Sequence, residues 1–298
     1  LTAGAEPAAV TASSAGPPRP GRRTPWWLVL PALPVALILV VAIAPGPFAG
    51  IFGNGDPRVC DLANSRADPR PGHPFGFDVQ GCDLWANVVW GTRSSVLIGI
   101  LVTLGVLIIA IVLGTLAAYF RRWVDMLVSR SLDIVLGFPA LVGMVVVLTT
   151  IGQRNAFTVS AVLILFGWPG MTRVMRGSAL AVVDRDYADA ARGYGASSWR
   201  VMWRHVVPNA IAPVLVLASL AVGTMITAES ALTFLGIGLQ QPAISWGVQL
   251  NSAQAGFRQH LHLLLAPALF LSVTVLSFVV FGEAIRRRLD PSHQRSVR

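Results

Sequence analysis

Val96-Leu97-Ile98-Gly99-Ile100-Leu101-Val102-Thr103-Leu104-Gly105-Val106-Leu107-Ile108-Ile109-Ala110-Ile111-Val112-Leu113-Gly114-Thr115-Leu116-Ala117-Ala118 contains no charged side chain. A helix needs about 20 predominantly apolar residues to cross the hydrocarbon core of a bilayer, so this run reads as a membrane span. Trp26–Ala44 precedes it as a first run, and four more follow: Leu132–Ile151, Ala156–Trp168, Asn209–Leu235 and His262–Phe281. The fourth run is short unless Pro169–Met171 complete it. Pro31, Pro34, Pro139, Pro213 and Pro267 fall within or beside these runs. In a bundle they do not veto helix, because neighbouring helices can satisfy the freed backbone groups. The expected fold is an all-α integral membrane protein with six transmembrane helices.

Composition agrees. Of 298 residues, 54% are hydrophobic and only 12% are charged, against about 25% charged in a soluble domain. The mean hydropathy is +0.64. A net charge of +9 raises the question of nucleic-acid binding. All 23 basic residues are Arg, however, and they gather beside the ends of the apolar runs instead of forming a patch. That distribution orients membrane proteins, and no nucleic-acid partner is expected.

Counting Arg on alternate sides sets the orientation. With the N-terminus inside, inner segments hold 17 Arg and outer segments hold six: Arg58, Arg66, Arg70, Arg93, Arg154 and Arg258. Both termini are therefore expected in the cytoplasm of a multi-pass protein of a bacterial cell membrane. Residues 1–25, rich in Ala, Pro, Gly and Ser, read as a disordered cytoplasmic tail. Residues 26–44 form the first span, which is too long for a signal h-region although Ala42-Ile43-Ala44 imitates a cleavage site. Residues 45–91 are expected outside, 92–285 form the main membrane domain, and 286–298 form a second cytoplasmic tail.

Both cysteines, Cys60 and Cys82, lie in the outer segment. Two Cys in one exported loop suggest a disulfide, with two buried free thiols as the alternative. The chain shows no CxxC, no Cys/His cluster and no metal-ligand spacing, so no metal site is expected.

The longest inner loop carries the candidate chemistry. Tyr187, Ala190, Ala191 and Tyr194 recur at i, i+3, i+4, i+7, one face of a helix. Gly193 and Gly195 then end it, and Ser197 or Ser198 can N-cap a second helix. There Trp199, Met202, Trp203 and Val206 repeat the spacing before Pro208 closes the element. Two short amphipathic helices joined by a glycine turn either lie in the membrane interface or dock a cytoplasmic partner.

Asp189-Ala190-Ala191, three residues, Gly195, nine residues and His205-Val206-Val207-Pro208 resemble the E-A-A-x3-G-x9-I-x-L-P loop of ABC-importer permeases. Asp189, His205 and Val207 depart from Glu, Ile and Leu. His73-Pro74-Phe75-Gly76-Phe77-Asp78 through Gly91-Thr92-Arg93-Ser94-Ser95 is similar to the H-P-L-G-T-D…G-A-R-x-S-L stretch of the C-type permease subunit in dipeptide and oligopeptide importers. Phe77 and Cys82 depart there. Glu229-Ser230-Ala231-Leu232-Thr233-Phe234-Leu235-Gly236-Ile237-Gly238, then Pro242 and Ser245-Trp246-Gly247, looks like that subfamily's E-A-S-L-S-F-L-G-L-G…P-x-x-x-W-G. Gly282-Glu283 with Leu289-Asp290-Pro291 resembles its C-terminal motif.

The resemblance implies a type I ABC-importer permease fold and half of a translocation pathway for dipeptides or oligopeptides. Nickel chelates or glutathione are the alternative cargoes. It implies a B-type permease subunit, cytoplasmic ABC ATPase subunits holding ATP and Mg, and an extracytoplasmic peptide-binding protein as partners. Docking would use loop 186–208, with Tyr187, Asp189, Ala190, Ala191, Gly195, Trp199 and Pro208. The chain has no Walker A sequence, so no cofactor and no catalytic residue are expected in it.

Glu229 is the one acidic residue well inside a run, and such carboxylates face a bundle interior or water. It either lines the pathway or holds the glycine-rich turn that follows. Ala110, Gly114 and Ala118 form a small-residue stripe that would suit contact with a second permease. A stand-alone secondary transporter would show internal repeats and several intramembrane charges, neither of which is present. A membrane enzyme would need paired carboxylates, His or Cys within the spans.

Overall fold

The computed structural model describes residues 26–256 and 258–289. The expected tail at 1–25 and residues 290–298 of the second tail lie outside the described residues. In chain order the helices are α1 (Trp26–Ile43), α2 (Pro45–Ala49), α3 (Leu84–Phe120), α4 (Arg122–Gly137), α5 (Ala140–Ile151) and α6 (Ala156–Val183). Then come α7 (Asp186–Gly193), α8 (Ser198–Val201), a π turn (Met202–Val206), α9 (Val207–Ala210), α10 (Ala212–Phe234), α11 (Trp246–Ala253) and α12 (His262–Leu289). Among the described residues there is no β-strand, only isolated bridges such as Cys60 opposite Cys82.

All six apolar runs are helical. Four helices, α3, α6, α10 and α12, are long and apolar enough to cross a membrane, and a bent pair, α4 with α5, brings the number to five. α1 adds a shorter apolar helix over Val29–Ile43. The architecture is compatible with six spans.

Two expectations need correction, and one left open is resolved. The run Leu132–Ile151 is not one helix: it breaks at Phe138-Pro139, and α4 and α5 meet at 87°. The Pro139 ring disfavours the α region for the residue before it, and Phe138 is extended at φ −97°, ψ 139°. The second span starts earlier than its apolar run, at Leu84, so the boundary drawn at 91/92 falls inside α3. Asp83 starts the helix by accepting a hydrogen bond from Trp85 N–H at 3.0 Å, an N-cap that the hydropathy of the run could not reveal. The fourth run continues through Pro169 to Val183.

α3 is the centre of the bundle, touching α1, α4, α6, α10, α11 and α12. One face, with Ile98, Val102, Val106 and Ala110, is buried; another, with Leu97, Leu101, Leu104 and Ile108, is exposed and left for lipid or a second chain. The small-residue stripe lies on the buried face. A Cβ on Gly114 would stand 2.8 Å from Met175 Cβ and 2.9 Å from Arg176 N. The stripe therefore seats α6 within this chain, and the expectation that it meets a second permease is corrected. At one end of the bundle, α2, the segment up to Asp83, α11 and its flanking turns form a cap; at the other end stand α7 to α9.

Candidate functional site

The loop at 186–208 folds as two helices around Gly195. α7 ends in a Schellman arrangement: Ala196 N–H donates to Ala191 O at 3.1 Å and Gly195 N–H to Arg192 O at 2.9 Å. This closure needs a left-handed residue after the helix, and Gly195 supplies it at φ +79°. No heavy atom lies within 4 Å of where a Gly195 Cβ would stand, so the turn is open to an approaching surface. Gly193, in contrast, is simply the last residue of α7.

Burial differs from the sequence expectation. Ala188 and Val201 are fully buried with Met202 and Val206, and Ala191, Ala196 and Trp203 pack against the same core. Tyr187 and Ala190 stand exposed, as do Tyr194 at 93% and Trp199 at 62%. The apolar residues of the loop thus divide: one set anchors it, and Tyr187, Ala190, Tyr194 and Trp199 remain uncovered. Ser197 occupies the N-cap position of α8 without a side-chain hydrogen bond.

Arg192 fixes the base of the element. Its guanidinium donates to Val183 O at the end of α6 and, through Nε, to Ala188 O at 3.3 Å, while pairing with Asp189 Oδ1 at 3.1 Å. Asp125 on α4 and Arg176 on α6 form a two-pronged pair, with Arg176 Nη2 donating to Asp125 Oδ2 at 2.8 Å.

Pro208 does not end the second helix. A proline cannot donate to the ladder and crowds the preceding turn; the wider π turn before it absorbs that conflict. Val207 N–H reaches back five residues to Met202 O, and Asn209 Nδ2 donates to His205 O at 2.7 Å. The chain stays helical from Ser198 nearly into α10. The two-helix element therefore runs into the spanning helix α10 with a break only at Ile211.

Glu229 lies on α10 and is 0% exposed. Thr233 Oγ1 donates to its Oε1 at 2.9 Å and Ser230 Oγ to its Oε2 at 3.2 Å. Thr233 Oγ1 in turn accepts from Leu239 N–H at 3.0 Å. Of the two roles open to it, this geometry favours holding the turn after α10, and in this chain Glu229 reaches no open cavity. The neighbouring Trp246-Gly247 pair completes the node. Trp246 Nε1 donates to Val88 O at 3.0 Å and its backbone N–H to Ser95 Oγ at 3.2 Å. Gly247 packs so close to Ser230 and Thr233 that a Cβ would overlap Thr233 Cβ at 2.6 Å.

Cys60 and Cys82 are joined by a disulfide. Beside it, Asp78 Oδ1 accepts from Gln80 N–H at 2.8 Å and Cys82 N–H at 2.9 Å. Burial pushes the Asp78 carboxyl above the usual carboxylate range, and these backbone bonds only partly oppose the shift. His73 Nδ1 lies 3.0 Å from Asp83 Oδ2, so the His-Pro-Phe-Gly-Phe-Asp stretch braces the N-terminus of α3. A further juxtaposition escaped the sequence reading: Asp68, His260 and His262 bring one ligand atom each to within 4.8 Å of one another. His260-Leu261-His262 was the available signal, but its carboxylate partner is remote in sequence.

A bundle of long apolar helices, with an exposed two-helix element at one end, defines a membrane-embedded protein. Residues 110–295 match the family described as binding-protein-dependent transport system inner membrane component. The chain belongs to this family. It is 34% identical over 75% of its length to the "Glutathione transport system permease protein GsiD" of Pectobacterium atrosepticum, covering 74% of that protein. It is 31% identical to the "Dipeptide transport system permease protein DppC" of Alkalihalophilus pseudofirmus, over 86% of this chain and 82% of that one. The same identity relates it to the "Oligopeptide transport system permease protein OppC" of Bacillus subtilis, over 86% and 83% of the two chains.

Proposed function

We propose that this chain is one permease half of an ATP-driven ABC importer for dipeptides or oligopeptides. Its partners are a B-type permease subunit, cytoplasmic ABC ATPase subunits that carry ATP and Mg, and an extracytoplasmic peptide-binding protein. In this reading both termini lie on the cytoplasmic side of a bacterial cell membrane, an orientation that the Arg asymmetry supports. The observation that carries this reading is the Gly195 turn, where Tyr187, Ala190, Tyr194 and Trp199 stand uncovered on a base tied to α6 by Arg192. An interfacial helix pair would need no continuous helical path into a span. A docking lever does, because ATPase closure must be transmitted to the bundle. The cargo class rests on the relatives, two of which are dipeptide or oligopeptide permeases and one a glutathione permease, glutathione being itself a tripeptide.

The test is Gly195→Val in the assembled transporter, reading ATPase co-purification and peptide uptake in reconstituted vesicles. The variant is expected to insert and to pair with its permease partner while losing ATPase association and uptake. Normal association with normal uptake would overturn the docking role. Orientation is checked by single cysteines introduced in a background lacking Cys60 and Cys82. A label at position 194 reached only from outside would reverse the topology.

A further inference from the structure

We infer that Asp68, His260 and His262 form a binding site for a zinc-class divalent cation, tying the cap to the first turn of α12. Asp68 comes from the turn that follows Leu62–Asn64, His260 from the turn before α12, and His262 is the first residue of α12. Asp68 Oδ1 lies 3.6 Å from His262 Nδ1 and 4.0 Å from His260 Nδ1. Those separations are too long for hydrogen bonds. They are close to the roughly 3.3 Å edge of a tetrahedron whose centre sits about 2.0–2.1 Å from each ligand atom.

The three side chains are not otherwise occupied. His260 Nδ1 is buried and has no hydrogen-bond partner, and the same is true of His262 Nε2. A buried imidazole nitrogen without a partner is costly, and a shared cation removes that cost at His260 Nδ1. The two rings stand nearly perpendicular, 78° apart with centroids 5.9 Å from one another, so they do not stack against a common ligand. Asp68 is 82% exposed while the His262 side chain is only 13% exposed. The site therefore has imidazoles set into the fold at its base and a solvent-exposed carboxylate beside them.

Ligand chemistry selects the cation. Two imidazoles and one carboxylate suit Zn²⁺, and also Ni²⁺, Co²⁺ or Cu²⁺, whereas Mg²⁺ and Ca²⁺ prefer all-oxygen shells. Three protein ligands leave a fourth position for water or for a group from a docking partner. Two features make the binding moderate rather than tight. Arg66, two residues before Asp68, brings a positive charge into the same segment, and His262 Nε2 has no acceptor to orient the ring.

The test uses the full permease pair, purified without a polyhistidine tag, titrated with Zn²⁺ against a chromophoric chelator. Co²⁺ is added in parallel to read the visible bands of a four-coordinate nitrogen–oxygen site. One equivalent per chain is expected. Removing a ligand in His262→Gln, or separately in Asp68→Asn, should weaken binding at least about tenfold. Zn²⁺ should also raise the thermal midpoint of the parent and not of either variant. Asp68→Asn is exposed and keeps the fold, so its result stands even if His262→Gln proves unstable. Equal Zn²⁺ affinity in parent and Asp68→Asn, or a stoichiometric site that survives in both variants, would overturn the inference and place any bound metal on other groups.

Discussion

Ala196 donates its backbone N–H to Ala191 O at 3.1 Å, and this bond closes the ring that makes Gly195 the tip of an exposed turn. The Ala191 and Ala196 side chains both pack against the bundle core, so the two ends of this bond hold the turn down while its tip stays exposed.

A graded series at Gly195 follows. Asn tolerates the left-handed region better than other non-glycine residues, and no atom crowds the position. Gly195→Asn should retain most uptake, whereas Gly195→Val, β-branched at φ +79°, should cost about 1–3 kcal/mol locally and lose it. Equal uptake by both variants would show that backbone geometry is irrelevant there.

Gly114 and Gly170 should behave oppositely on substitution by Ala. At Gly114 the new methyl meets Met175 Cβ at 2.8 Å, and forcing α3 from α6 should destabilise by about 1–3 kcal/mol. At Gly170 nothing lies within 4 Å, and replacing a helical glycine should stabilise by about 0.4–1 kcal/mol. Thermal midpoints in detergent distinguish the two; a shared direction of shift would contradict the packing.

Thr233→Val keeps the shape but removes the hydroxyl between Glu229 and Leu239 N–H. Two buried polar groups lose a partner, at about 1–3 kcal/mol each. The turn after α10 should loosen before the bundle does, seen as faster amide exchange at Leu239. Unchanged exchange there would deny the hydroxyl its bridging role.

Asp78 makes the cap sensitive to pH. Burial raises its folded-state pKa above that of an ordinary aspartate, so the folded chain holds this proton more tightly than the unfolded chain. Its contribution to stability must then fall as pH rises from about 4 through the raised folded value, and level off above it. Asp78→Asn keeps an oxygen for Gln80 and Cys82 N–H and should flatten that part of the profile. Identical pH profiles for parent and variant, from thermal unfolding between pH 4 and 7, would remove Asp78 from the account.

The disulfide spans 22 residues of sequence, and a loop of that size is worth about 3 kcal/mol in the chain-entropy description. Cys60→Ser should lower the thermal midpoint of the cap. Denatured parent protein should expose thiols to a maleimide only after reduction, and equal labelling without reductant would refute the bond.

Charge-free runs disclosed the spans because hydrophobic length is a one-dimensional property. The break at Phe138-Pro139 was harder to read, since prolines at 169 and 267 lie in continuous helices; only tertiary support separates the cases. The start of α3 was hidden for a different reason. Leu84 to Ser95 is helical and largely buried but faces the cap, so its polarity resembles a loop. In the loop at 186–208, spacing located the two helices and the glycine but not which face was covered. Ala188 is buried where the pattern favoured Tyr187 and Tyr194, because which side of α7 meets the bundle is set by tertiary packing and not by the spacing. Asp68 and His262 meet through the folding of the cap, which no local pattern encodes.

The length of α3 has one more consequence. Its 37 residues amount to about 55 Å of unbroken helix, nearly twice the hydrocarbon thickness. Near its first turns it is tied to Trp246, and it also touches the π turn of the 186–208 loop. One unbroken helix thus joins the cap to the loop at the opposite end of the bundle, and on the proposed docking role a displacement at the loop reaches the cap through a single stiff element.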